Sequence, residues 1–127
     1  MNKPTLYRIY YNNPYFRSNP GETYLAYIGR TKNNLTSRLR QHFVNVHPFQ
    51  KQLYIDNVAF IEYAEFNTVA DMYVAEIVLI NQLKPLLNRD DKAQDELTIP
   101  VDLSGIEWKL WDKPHLIKKW SEIENAN

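Results

Sequence analysis

The chain has 127 residues, 15 Lys/Arg against 15 Asp/Glu, and 44% hydrophobic residues, enough for one domain with its own core. It has no cysteine, which excludes a disulfide framework and a thiolate metal site. It has no apolar run long enough to cross a bilayer and no apolar leader after Met1-Asn2-Lys3-Pro4, so a soluble, intracellular (cytoplasmic) protein with no membrane partner is expected.

Leu6 to Tyr11 is dense in aromatic and β-branched residues and reads as a first strand. A connection from Asn12 to Glu22, with Pro20-Gly21 as its turn signal, leads to a second strand, Thr23 to Ile28, closed by Gly29. A helix then starts at the N-cap candidate Asn34, with Leu35, Leu39, Phe43 and Val46 on one face. Pro48 to Tyr54 reads as a short helical piece and Asn57 to Ala64 as a third strand, antiparallel strands of this number needing helices to cover them. Thr68 and Asp71 stand in capping-box spacing at the head of a helix that ends near Leu83, before Pro85. Its apolar stripe is Val69, Met72, Tyr73, Ile80 and Leu83. Arg89 to Glu96 is an acidic loop, and a closing helix from about Asp112, with Pro114 in its first turn, presents Leu116, Ile117, Trp120 and Ile123 to the core.

Charge is distributed unevenly along this order. Residues 1–60 hold eight Lys/Arg and two Asp/Glu, whereas residues 61–106 hold three and nine, which suits a polyanionic partner at the first half, the other reading being a chance dipole across a neutral domain. That half contains the stretch Tyr27 to His42, in which Arg38 and His42 stand four apart on the flank of an apolar helix face. A guanidinium, an imidazole and a tyrosine hydroxyl at a strand end are groups that handle phosphate. Glu76 falls in the middle of the later helix's apolar stripe, where a carboxylate is costly to bury unless it meets a cation or strong donors. Two readings follow: Glu76 pairs with a structural Arg or Lys at a rim, or it points into a divalent-cation site.

Tyr27-Ile28-Gly29, the following Arg30-Thr31-Lys32-Asn33, Arg38, His42, Glu76 and Asn88 after a Lys-Pro pair together resemble the GIY-YIG nuclease family, seen in DNA-repair excinucleases and phage homing endonucleases. The resemblance covers about residues 4–90. It departs at the first hallmark, which is Thr5-Leu6-Tyr7 here, with Arg8-Ile9-Tyr10 as the other possible alignment, and at the Asn12 to Glu22 insertion. It implies an α+β fold with a small three-stranded antiparallel sheet flanked by helices, a nuclease domain over 1–90, and a C-terminal helical extension over 91–127. It also implies a metal-dependent DNA endonuclease, of phage or mobile-element type. In that reading Tyr7, Tyr27, Arg38, His42 and Glu76 are catalytic, with Glu76 holding Mg2+ (or Mn2+). Tyr7, Tyr27 and His42 are all candidates for the general base, a tyrosine serving only if nearby cations lower its pKa. Arg30, Lys32 and Arg40 are expected to contact DNA, while Gly29 and Asn88 are structural at the site. Arg38 and Glu76 are expected to face one cleft floored by Tyr7 and Tyr27. The alternative is a catalytically silent binding or interaction module on the same fold.

Overall fold

The computed structural model describes residues 2–12, 23–44, 55–88 and 97–126. Val46, the Pro48 to Tyr54 piece, most of the Asn12 to Glu22 connection and the Arg89 to Glu96 loop lie outside them. The elements run β1 (Thr5–Asn12), β2 (Thr23–Thr31), α1 (Leu35–Phe43), a short 3-10 turn (Ile55–Asn57), β3 (Val58–Glu65), α2 (Val69–Leu83), β4 (Lys109–Leu110) and α3 (His115–Ala126).

The sheet is antiparallel in the order β2-β1-β3-β4, so it has four strands where the sequence suggests three. The extra strand pairs only Leu110 with Glu62 and Lys109 with Tyr63. Two residues are too few to show a period-2 pattern, which is why no sequence signal marks it. β1 lies in the centre and is covered on both faces. Tyr7, Ile9 and Tyr11 pack with Leu39 and Phe43 of α1 and with Trp111 and Trp120. Leu6, on the other face, packs with Ile28 and with Met72, Ala75, Leu79 and Ile80 of α2. Alternation along one strand thus separates two helical layers. A bulge interrupts the β1–β2 register, Ile9 facing Tyr27 and Tyr10 facing Leu25, with Ala26 as the extra residue.

The helix starts follow their caps. The Asn34 side chain accepts from the Ser37 amide at 3.0 Å, and the Thr68 hydroxyl accepts from the Asp71 amide at 3.0 Å, each satisfying an orphan donor of the first turn. α2 ends on Lys84 in the left-handed region (φ 46°) just before Pro85. Leu83 does not belong to the buried stripe: it is 47% exposed, and Ala75 and Leu79 fill the contact instead. Helical periodicity locates a face but not where the covered surface stops.

Two tryptophans of the C-terminal segment are core residues. Trp111 and Trp120 are buried and stack at 5.9 Å between ring centroids. Trp108 covers the Arg8 guanidinium, 3.8 Å from carbon to ring centroid, while Arg8 Nε donates to Glu62 Oε1 at 2.9 Å. Residues 97–123 therefore pack on both faces of the same sheet, and Lys118 and Lys119 stay exposed. Among the described residues no helix is long and apolar enough to cross a membrane.

Candidate active site

The site is built where β1 and β2 pair near the start of α1. Tyr7 faces Gly29 across the two strands, and Gly29 lacks the one atom that would collide there. A Cβ on residue 29 would lie 2.5 Å from Tyr7 Cζ and 2.7 Å from Tyr27 Cε2, and closer still to the Tyr7 hydroxyl oxygen. Steric room, with no left-handed backbone involved, is what makes this glycine necessary.

Above it, Tyr7, Tyr27 and His42 form a three-ring cluster, with centroid separations of 6.2 Å for the tyrosines, 5.6 Å for Tyr7–His42 and 5.4 Å for Tyr27–His42. The Tyr7 hydroxyl and His42 Nε2 share a hydrogen bond. The direction of that bond follows from the electrostatics. Tyr7 is fully buried, and burial pushes its phenol above the ordinary 10, with the neighbouring Tyr27 adding to the rise. The charge and hydrogen bond of Arg38 pull the other way and lose. His42 is drawn down from 6.5 to about 4, first by burial and then by Arg38. At neutral pH a neutral phenol therefore donates to a neutral imidazole. The condition for a tyrosine to act alone as base, a pKa lowered by nearby cations, is not met by Arg38, because desolvation outweighs a single guanidinium.

α1 and α2 cover opposite faces of the sheet, yet their charges converge at this strand end. Arg38 and Glu76 both act on the hydroxyls of Tyr7 and Tyr27. β2 is the sheet's edge strand, and the carboxylate acts at that edge, where Arg30 pairs with it. The Glu76 side chain is 9% exposed and that of Arg30 47%. The Arg30 guanidinium also rests 4.6 Å above the Tyr73 ring. Arg30, expected as a DNA contact, is thus tied to Glu76, whereas Lys32 and Arg40 are exposed to solvent. Arg38 reaches Gln41 at 3.4 Å as well as Tyr7.

Asn88 acts on the backbone. Its Oδ1 accepts from the Ile28 amide at 2.8 Å and its Nδ2 donates to the Ile28 carbonyl at 2.9 Å. With the Leu87 amide donating to the Ala26 carbonyl at 2.9 Å, the segment after α2 pairs with the free edge of β2 and fixes the strand one residue before Gly29. Tyr10, the tyrosine of the other possible alignment, stacks on Phe60 at 4.5 Å and responds to Arg8 and Glu62. It takes no part in this cluster. Sequence reasoning does not single out Tyr73 as a site residue. It stands three before Glu76, the spacing that puts a ring and a carboxylate side by side on a helix.

The donor set limits which ion could be held. Among the described residues no three His, Cys, Asp or Glu side chains gather, so tetrahedral zinc, which needs several protein ligands, does not fit. One carboxylate does fit magnesium, which keeps most of its water shell and completes it with phosphate oxygens.

An α+β domain in which a central and an edge strand bring two tyrosines, α1 a histidine and an arginine, and α2 a buried carboxylate to one strand end carries groups that handle phosphate. The family model for the GIY-YIG catalytic domain matches residues 3–90, and the chain belongs to that family of nuclease domains that act on DNA. No curated protein and no solved structure gives a significant match.

Proposed function

We propose that the chain is a metal-dependent DNA endonuclease hydrolysing phosphodiester bonds at the Tyr7–Tyr27–Arg38–His42–Glu76 cluster. The observation that carries this reading is the hydrogen bond from a neutral Tyr7 to a neutral His42 beside two groups of opposite charge, Arg38 and Glu76. Glu76 would hold Mg2+ or Mn2+, which when bound supplies Lewis-acid stabilisation of charge building on the phosphoryl oxygens.

The residues of the chain account for the remaining needs. Arg38 presents a planar fork to the phosphate. Tyr7 takes the proton of the attacking water as its own proton passes to His42 Nε2, so no free phenolate forms in a buried site. The negative phosphate raises the basicity of His42 once substrate is bound, moving it up from its low free-protein value. Tyr27 would hydrogen-bond the attacking water or its neighbours, and Lys32 and Arg40 would contact the backbone of DNA without reading sequence.

The test is cleavage of supercoiled plasmid and branched DNA with Mg2+ or Mn2+. Activity is expected for the unaltered chain and a loss of at least about a hundredfold for Arg38→Ala and Glu76→Ala with the fold retained. Untouched plasmid and branched DNA would sink the proposal. A second reading, a silent DNA-binding module, is favoured by one observation: Arg30 already neutralises Glu76. It requires DNA binding that is indifferent to metal, without cleavage.

A further inference from the structure

The Arg30–Glu76 pair is asymmetric. The carboxylate is fixed on α2 and nearly enclosed, whereas the guanidinium that neutralises it lies half in solvent on the edge strand, resting on Tyr73. A buried carboxylate requires a cation or strong donors at all times, but it does not require the same partner. A divalent cation on Glu76 and a guanidinium on the same oxygen repel at a few ångströms, so one must leave. Arg30 can leave by rotating outward into water, since about half of its side chain is already exposed, whereas Glu76, nearly enclosed on α2, has no such freedom.

We propose that Arg30 is a displaceable counter-ion: it occupies Glu76 until a divalent cation enters, and is then released along the β2 edge to a phosphate of the DNA bound at the same strand end. This rests on the endonuclease reading, and adds to it a coupling between two ligands. Metal binding frees a cation for DNA, and DNA holding that cation clears the carboxylate for metal, so each ligand tightens the other by the same factor. Tyr73 sets the strength of the latch through its ring contact with the guanidinium.

The experiment uses the full chain without cleavage as its readout. Mn2+ alone is titrated calorimetrically into the unaltered protein, Arg30→Gln, Arg30→Lys, Tyr73→Leu and Glu76→Gln. Binding of a duplex oligonucleotide is followed by anisotropy in Ca2+ and in EDTA. Arg30→Gln is expected to bind Mn2+ about tenfold more tightly than the unaltered chain, with Arg30→Lys unchanged within about threefold, and to lose most of the Ca2+-dependent gain in DNA affinity. Equal or weaker Mn2+ binding by folded Arg30→Gln overturns the latch. Should that variant not fold, Tyr73→Leu decides the matter: about threefold tighter Mn2+ binding supports the proposal and unchanged binding overturns it. An unaltered chain that binds no Mn2+, or binds it equally well as Glu76→Gln, overturns the metal anchor of the endonuclease reading together with the latch. Mn2+ binding through Glu76 with no gain in Arg30→Gln overturns the latch alone.

Discussion

Replacing His42 by Gln separates the histidine's protonation from its hydrogen bond, because Gln offers an acceptor to the Tyr7 hydroxyl but has nothing to titrate. In the folded chain His42 is held near 4 instead of 6.5 by burial and by Arg38. A group with a lowered folded pKa contributes stability that is fully present above its unfolded pKa and is lost as pH falls through the folded value, since only the unfolded chain takes up the proton in between. With these two values the loss between pH 7 and pH 5 is about 2 kcal/mol, rising to about 3 kcal/mol by pH 4. The assay is urea unfolding of both proteins at pH 7 and pH 5, taking the difference between them so that carboxylates common to both cancel. The unaltered chain should lose about 1 M more in its urea midpoint than His42→Gln over this interval. Parallel behaviour of the two proteins would show that His42 titrates normally, and would remove the neutral imidazole on which the Tyr7 hydrogen bond was oriented.

Two further outcomes test the scaffold around that bond. Gly29→Ala places a methyl inside the Tyr7 phenol and against the Tyr27 ring, so it should destabilise by about 1–3 kcal/mol in urea unfolding and change the near-ultraviolet circular dichroism of the tyrosine cluster. A stability and spectrum like those of the unaltered chain would refute the packing account. Asn88→Ala removes both side-chain bonds to Ile28 and should cost about 1–3 kcal/mol, with faster amide hydrogen exchange at Ile28. Unchanged exchange at that amide would mean that the tie does not hold the strand edge.

Local signals suffice for the parts of this chain that depend on neighbours in sequence. Asn34 and Thr68 mark their helix starts because a cap is a bond within one turn. The aromatic and branched run around Tyr7 marks a strand because it fits a surface buried on both sides. The buried Glu76 is visible as a carboxylate on an apolar face, and so is the family, which rests on ordered polar positions and matches residues 3–90. Only the tertiary structure decided the rest. Gly29 is necessary because Tyr7 comes from another strand, and Arg30 occupies Glu76 because β2 is an edge reached from α2 across 46 positions of sequence. The same holds for protonation: desolvation by residues distant in sequence raises Tyr7 and lowers His42, where the sequence leaves open which of the tyrosines and the histidine takes the proton. Sequence determines which groups exist and how they are spaced along the chain, whereas burial and charge at a point are sums over everything that folding brings there.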